Sequence, residues 1–419
     1  MGFYMRIRYA RLDEARAMFA GLSERIDPDA GSIDLNQYRK KPGTLEWQAI
    51  EEALFKSLDT LNVGAHSSSL SLQALQGPAQ KTLKLFDALG FTDYYIDRLI
   101  HGSRWDKALA ADKLGRTGCG KAVPHLAEAL NSNYRDVRNL SVYALGLIHD
   151  KSVIPRLMEL IRRASGKTQE DFSARIVKSA LISFGQAAVP ALIEEQSSPV
   201  WQVRASCVDI LGEIPCPEVR HALRNALKDP EQDVRAKAAK GAGKLKDRGA
   251  LAGLIALLAD PHWVVRLHAA RALGLIGDIN AIPHIKARLN DENWQVRRVA
   301  AESLGRFGGA AYPALMEVSL KDSDRYAREQ ADDELERAGV LKTVIKAILY
   351  YKDKGPEAVI EETGGMEKGA FINIVRLLAG AGPIKLKEVL TAAAGRDASW
   401  FDIEDAAVEI ERFASEHPA

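Results

Sequence analysis

The 419-residue sequence has little of the material from which small reactive sites are usually built. Its three cysteines, Cys119, Cys207 and Cys216, are too few and too scattered for a disulfide framework or a zinc cluster, and this usage suits a reducing compartment. No Gly-rich phosphate loop, HExxH helix or nucleophile elbow occurs. No apolar run reaches membrane-spanning length. We therefore predict no catalytic set, no metal and no cofactor.

An excess of charge of either sign is also missing. Lysine and arginine number 57 against 56 aspartates and glutamates, a net charge of +1. Global electrostatics therefore favour neither nucleic acid nor a membrane surface as a partner, and only a local patch could do so. The hydrophobic share of 47% is enough to bury a substantial core.

An internal repeat organises the chain. The segment Trp263–Gly274 returns 31 residues later as Trp294–Gly305, with a Trp, a Val-Arg pair, an Ala-Ala pair and a Leu-Gly at the same offsets. A period of this length is typical of solenoid proteins. The arginine position recurs in eight copies, with substitutions in the first and third, at Lys107, Arg138, Val177, Arg204, Arg235, Arg266, Arg297 and Arg328.

Each copy is predicted to form two helices. The first begins near a proline, which a first helical turn tolerates: Pro124, Pro155, Pro190, Pro283 and Pro313. A turn with an aspartate follows, at Asp229, Asp260, Asp291 and Asp322. The second helix carries the Val-Arg motif, and its motif glycine is predicted to form the left-handed C-terminal cap. One such pair cannot bury its own apolar face, so the copies must stack.

The Asp turn and the Val-Arg-x-x-Ala-Ala-x-x-Leu-Gly helix resemble HEAT repeats, of the short subclass known as phycobilisome-lyase HEAT-like repeats. The resemblance covers roughly residues 101 to 337. It implies an all-α fold, an α-α superhelix of stacked antiparallel helix pairs whose second helices line a concave groove. It also implies that the aspartate and arginine rows form a structural ladder between neighbouring repeats.

Three parts of the chain are predicted. Residues 1–100 are N-terminal helices and loops that cap the array, 101–339 are eight HEAT-like repeats, and 340–419 are diverged helical repeats or a C-terminal cap. The third repeat departs from the pattern, because Arg163 to Glu170 lengthen its inter-helix turn.

Candidate site residues lie at positions two, five and nine after the arginine, which point away from the buried face of the second helix. The second copy carries an apolar triplet there, Leu140, Tyr143 and Leu147, and Ile182 lies beside it in the third. An exposed apolar patch usually marks a partner site. The alternative is that the long insertion or the N-terminal helices cover this patch.

A short basic patch is predicted on the same face further along the chain, formed by Lys237, Lys240, Lys244, His268 and Arg271. A nucleic-acid groove should be positive over many repeats, so a solvated helix face is the simpler interpretation. Trp201, Trp263 and Trp294 recur at one offset in the turns, which favours packing between adjacent turns over base stacking.

Together these features favour a non-catalytic scaffold or adaptor that binds another protein through the groove. A nucleic-acid-binding module is the first alternative, and a lyase-type accessory protein, by family analogy, is the second. The HEAT-type iron hydroxylases need His-Glu dipeptides, and this chain has none. A cytoplasmic location is expected. Because similar arrays follow membrane anchors in bacterial proteins, Phe3 to Arg11 could also be the flank of an anchor that precedes the chain.

Overall fold

The computed structural model describes residues 12–20, 35–62, 78–164, 173–354, 366–394 and 401–417. Within these ranges the regular structure is helical throughout, without a strand, which confirms the all-α fold. The contacts between residues divide the chain into two units, residues 1–210 and 211–419. The division into a cap, eight repeats and a C-terminal part stays a prediction.

The first unit starts with helices that precede the repeats. They are α1 (12–19), α2 (Leu45–Asn62) and α3 (Pro78–Ala88). Four helix pairs follow, and their second helices carry copies 1 to 4 of the sequence motif: α4 (Phe91–His101) with α5 (Arg104–Thr117), α6 (Val123–Ala129) with α7 (Arg135–Ile148), α8 (Ile154–Ala164) with α9 (Ala174–Ser183), and α10 (Val189–Glu194) with α11 (Trp201–Leu211).

The second unit continues with repeats 5 to 8 and ends in four further helices. The pairs are α12 (Pro217–Ala226) with α13 (Gln232–Lys244), α14 (Leu251–Leu257) with α15 (Trp263–Ile276), α16 (Ile282–Lys286) with α17 (Trp294–Gly305), and α18 (Tyr312–Lys321) with α19 (Arg325–Arg337). The last helices are α20 (Val340–Lys354), α21 (Lys368–Gly380), α22 (Pro383–Ala394) and α23 (Ile403–Glu416).

The predicted helix pairs form for the predicted reasons. Prolines such as Pro124 and Pro283 stand in the first turn of the first helices, where the missing N–H has no intrahelical partner. In each unit the second helices pack side by side, α5 on α7 and α13 on α15. The alanine pairs face these contacts, and Ala269 and Ala270 are fully buried. Stacking of successive pairs therefore creates the core.

The motif glycines do not cap the second helices in most copies, so that prediction was wrong. A Cβ placed on Gly243 would lie 2.6 Å from the Cα of Ala272 on the neighbouring helix. Gly274 approaches Ser303 in the same way. These glycines permit close helix packing, and the left-handed cap comes later, as at Gly277, with φ of 73°. Gly185 of the third copy, with φ of 54°, is the exception among the described residues.

Helix α2 packs along the first repeat. Glu51 lies 3.0 Å from the ammonium of Lys113 and accepts a hydrogen bond from the Tyr95 hydroxyl. Asp59 accepts from Arg116 at 2.7 Å. An aromatic cluster lies beneath, in which the Trp47 ring is 4.8 Å from that of Phe91. The apolar end of the first repeat is therefore covered within the first unit.

Several sequence predictions fall outside the described residues. They are the possible anchor flank from Phe3 to Arg11 and most of the insertion after Arg163. Of the part that is described, no single helix is both long and apolar enough to cross a membrane. Two helices bent by 114°, Ala174–Ser183 and Gly185–Ser197, meet the requirement only when taken together.

Candidate functional site

The nine site residues predicted from the sequence fall into two sets, one in each unit. In the first unit Leu140, Tyr143 and Leu147 lie along α7, and Ile182 lies on the neighbouring helix α9. Tyr143 is 47% exposed, whereas Leu140, Leu147 and Ile182 are half-buried. We call these four residues the apolar patch. It presents one aromatic ring surrounded by aliphatic side chains.

Small residues and a polar contact position the apolar patch. Gly146 on α7 lies so close to Ala180 on α9 that an added Cβ would be 3.0 Å from its Cα. After α7 ends, Nε2 of His149 lies 2.7 Å from the carbonyl oxygen of Ser183. This close approach places the two second helices side by side, so Ile182 extends the surface begun by Tyr143.

The basic set lies in the second unit, where it is less positive than the sequence indicates. Lys237, Lys240 and Lys244 lie on α13, which packs against α15. The ammonium of Lys244 forms an ion pair with Glu213. Lys244 therefore shares its charge with a carboxylate, and the positive surface is smaller than three lysines and an arginine would make.

His268 and Arg271 lie on α15 beside these lysines. Burial lowers the pKa of His268, and the positive charges of Arg271 and Lys240 lower it further. Arg271 and Lys240 therefore both lie near the imidazole ring. Because a depressed pKa keeps the imidazole neutral at pH 7, His268 adds no positive charge to the surface.

Two of the three turn tryptophans are exposed, and their packing between adjacent turns stays a prediction. Trp294 is 59% exposed and Trp263 is 39% exposed, and only Trp201 is half-buried. Each is the first residue of a second helix, at the edge of its unit. The guanidinium of Arg298 lies 5.8 Å from the Trp294 ring centroid, a cation–π distance.

The aspartate and arginine rows form a ladder, as the resemblance implies. Arg235 donates to the carboxylate of Asp260 at 2.7 and 3.1 Å, and Arg266 donates to Asp291 at 2.7 and 2.8 Å. Each arginine also donates to a carbonyl of its own turn, as Arg266 does to Asp260 at 2.9 Å. We call this arrangement the turn ladder. Its residues are buried or half-buried, and their charged groups are hydrogen-bonded to one another and to the backbone, which fits a structural role.

The electrostatics of Asp260 agree with this arrangement. Burial alone would raise the pKa of its carboxyl group, but hydrogen bonds from Arg235 and from the His262 N–H lower it below the ordinary value. The carboxylate is thus stabilised in its charged form at the position where two repeats meet.

Sequence reasoning missed two clefts. One, of about 580 Å³, lies in the second unit between α18 and α21 and is lined by Pro313, Glu317, Lys321 and Arg376 among others. The other, of about 470 Å³, lies in the first unit between repeats 1 and 2. The signal for the second was present in the sequence, because Lys107 and Ser132, which line it, depart from the repeat pattern.

No group of three or more histidine, cysteine, aspartate or glutamate side chains that could hold a metal ion occurs in the ranges the structure describes.

Comparison with known families identifies the repeat. The family model for HEAT repeats matches residues 189–266 and 251–336. No curated protein matches the sequence.

Several solved structures are similar to this chain at low identity. Human deoxyhypusine hydroxylase in complex with glycerol is 18% identical, covering 73% of this chain and 99% of that one, with a TM-score of 0.27. YibA of Escherichia coli is 21% identical, covering 58% and 92%, with a TM-score of 0.35. The CpcE and CpcF complex of phycocyanin lyase from Nostoc is 22% identical, covering 44% and 99%, with a TM-score of 0.27. These scores are too low to transfer a function.

Proposed function

Because residues 189–336 of this chain are HEAT repeats, we propose that it is a non-catalytic scaffold that binds a partner protein through its second helices, with the apolar patch as the contact. The observation that carries the proposal is the exposure of Tyr143, 47% of its surface, on a helix face where solvent would favour polar residues. Half-buried Leu140, Leu147 and Ile182 surround it.

The chemistry of the patch supports a protein partner. Tyrosine is enriched at the centres of protein interfaces, because it buries a large apolar area and keeps a hydroxyl for a hydrogen bond. Aliphatic neighbours that are already half-buried lose little conformational entropy on binding. An ion pair joins Lys178, on the same helix as Ile182, to Asp209 on α11, so charged side chains accompany the patch on its neighbouring helices. An apolar centre with a polar rim is the usual arrangement of a protein interface.

The alternative, a nucleic-acid-binding module, depends on the basic set of the second unit. Lys244 pairs with Glu213 and His268 is held neutral, so at most three residues of the set, Lys237, Lys240 and Arg271, add positive charge there. The affinity of a protein for nucleic acid grows with the number of phosphate groups that its cations contact. With three cations we expect weak binding that salt abolishes. The apolar patch therefore carries the better-supported function.

The compartment that we propose is the reducing cytoplasm. Cys207 and Cys216 are buried as free thiols, and Cys119 is also unpaired. Free thiols of this kind persist where glutathione and thioredoxin keep them reduced.

The test of the scaffold compares two substitutions of the same kind. Tyr143→Asp places a charge in the centre of the patch, and Tyr326→Asp places the same charge on another exposed tyrosine in the second unit. Proteins captured from a lysate of the source organism are quantified by mass spectrometry for wild type and both variants. Far-UV circular dichroism and thermal melting confirm that each variant is folded.

We expect Tyr143→Asp to lose at least one abundant captured protein by about tenfold or more, since a charge desolvated at an interface costs several kcal/mol. Tyr326→Asp should retain that protein. If the folded Tyr143→Asp variant captures the same proteins as wild type, the patch is not the binding site.

A gel-shift assay with single-stranded DNA at low ionic strength tests the nucleic-acid alternative, and the absence of any shift rules that alternative out.

A further inference from the structure

The cleft between repeats 1 and 2 lies where the turn ladder is interrupted. In repeats 5 to 7 an arginine of one repeat pairs with an aspartate of the next, as Arg235 pairs with Asp260. The aspartate also accepts the backbone N–H two residues later, from His262 at 2.9 Å. These two features identify the ladder positions in other repeats.

At the junction of repeats 1 and 2, Lys107 stands at the arginine position and Ser132 stands at the aspartate position. The turn itself is unchanged. The Ser132 hydroxyl accepts the N–H of Tyr134 at 3.3 Å, and the Ser132 carbonyl accepts Nη1 of Arg138 at 2.7 Å. What is missing is the carboxylate that would face the cation of the preceding repeat.

Lys107 is accordingly a cation without a carboxylate. It is half-buried, and it forms no ion pair with any residue in the described parts of the chain. Its neighbours on α5 differ in this respect, because Lys113 and Arg116 are paired with Glu51 and Asp59. Lys107 lines the cleft together with Ser132.

Part of the remaining wall is apolar and aromatic, and His125, Asn131 and Asn133 also line the cleft. Leu99 and Val137 are buried, Ile100 is exposed, and the ring of Tyr134 stands at the side of the turn. Glu128 lines the cleft as well, and its charge disfavours a dianion there. A volume of about 470 Å³ lies within the range of ligand pockets.

A second junction shows that the absence of the ladder does not by itself create such a site. Between repeats 3 and 4, Val177 and Ser198 occupy the two ladder positions. Val177 is fully buried there and carries no charge. Arg162 and Glu195 form an ion pair beside this junction, so each of these two charges has its partner within the chain. The junction of repeats 1 and 2 differs because it has a cation, Lys107, at the arginine position but no carboxylate at the aspartate position.

We propose that this cleft binds one carboxylate side chain of an extended peptide segment of a partner protein, together with the apolar side chain next to it. The carboxylate pairs with Lys107 and so takes the place of the missing ladder aspartate. The apolar side chain packs on Leu99, Ile100 and the Tyr134 ring. The cleft has one lysine, which offsets one negative charge, and Glu128 repels a second, so a carboxylate is favoured over a phosphate group.

The site is separate from the apolar patch, because it lies at the turns and not along the exposed face of α7. Its occupant is a protein segment, so it rests on the proposed function in that respect. The two fail in different ways, however. Loss of peptide binding in Lys107 variants concerns the cleft alone, whereas Tyr143→Asp reports on the patch.

The probe is the blocked tripeptide acetyl-Leu-Asp-Leu-amide, titrated into the full chain with isotope-labelled methyl groups and followed by NMR at Leu99, Ile100 and Val137. The same tripeptide with asparagine is the matched control. We expect saturable shifts with the aspartate peptide and about tenfold weaker binding with the asparagine peptide, because only the former presents a charge to Lys107.

Three variants test the assignment of the cleft. Lys107→Arg combined with Ser132→Asp rebuilds the ladder, so we expect unchanged or higher thermal stability and loss of peptide binding. Lys107→Met should lose binding while the chain stays folded, and Lys151→Met, at an exposed lysine of the same unit, should bind as wild type does.

The proposal is overturned if the aspartate and asparagine peptides bind equally, or if neither shifts the cleft methyl groups. Stronger shifts with inorganic phosphate than with the aspartate peptide would also overturn it, as would full binding by the folded double variant.

Discussion

Arg266 donates from Nε and Nη2 to the two carboxylate oxygens of Asp291, at 2.7 and 2.8 Å, across 25 residues of sequence. The two side chains are 7% and 2% exposed. Nη1 of the same arginine donates to the carbonyl of Asp260 at 2.9 Å, so one guanidinium joins its own turn to the turn of the next repeat. The pair is thus the clearest single example of how neighbouring repeats are held in register.

Asp291→Ala should therefore destabilise the second unit strongly. The substitution removes the buried counter-charge of the guanidinium and leaves it only the exposed carboxylate of Glu292, 3.0 Å away. Losing one partner of a buried pair costs about 3–5 kcal/mol. Urea denaturation followed by circular dichroism measures the change. The control is Glu329→Ala, which breaks the exposed pair with Arg325 and should cost at most about 0.5 kcal/mol. Equal midpoints for the two variants would show that the ladder does not hold the repeats.

The ladder was predictable from the sequence because its parts recur at a fixed period. Asp260 and Asp291 are 31 residues apart, as are Arg235 and Arg266, and identical residues once per repeat indicate a role that each copy shares. The helix pairs followed from the same period and from prolines such as Pro283 at the helix starts.

The role of the motif glycine was not predictable in the same way. A glycine at the end of a helical pattern serves either as a left-handed cap or as the point where another backbone comes close, since both need the absence of a Cβ. From this sequence alone, both Gly274 and Gly277 could be the left-handed cap or the point of close helix packing. Only the packing of Ser303 against Gly274 separates the two.

The exposure of the turn tryptophans could not be predicted from the sequence either. Their repetition shows that three copies have a tryptophan at the same position, but not whether the side chain is buried. Trp294→Ala should cost less than about 1 kcal/mol, since the ring is 59% exposed. The matched control is Trp47→Ala, which removes a ring buried against Phe91 and Tyr94 and should cost about 3–5 kcal/mol. Chemical denaturation of both variants measures this. A cost for Trp294→Ala as large as that for Trp47→Ala would contradict its exposure.

The candidate site was partly predictable. Helical periodicity placed Tyr143 on an outward face, because at about 100° per residue the fifth position after the arginine is rotated away from the buried valine and alanines. The Lys244–Glu213 pair joins α13 to the turn that follows α11, so a pattern along one helix could not predict it. The cleft at Lys107 depends on two departures 25 residues apart in sequence, and their proximity follows only from the stacked turns.

The cysteines should differ sharply in reactivity. Burial raises the pKa of Cys207 to about 12, so at pH 8 only about one molecule in 10,000 carries the thiolate. Cys119 is half-buried and accessible at its turn. Titration of the native protein with Ellman's reagent at pH 8 should release about one equivalent quickly and three in denaturant. Cys119→Ser should abolish the fast phase, and a fast equivalent that persists in this variant would contradict the assignment.

His268 should make the second unit less stable at acidic pH. Burial, together with Arg271 and Lys240, lowers its pKa below the ordinary value of about 6.5. As the pH falls below about 6.5 the unfolded chain takes up the proton first, so native stability drops until the pH passes the lower native pKa. The slope is at most about 1.4 kcal/mol per pH unit. Urea midpoints at pH 7.5 and 5.5 measure the loss, which should be smaller in His268→Gln than in wild type. His284→Gln, at an exposed histidine of the same unit, should lose as much as wild type, and parallel losses in all three proteins would disprove the linkage.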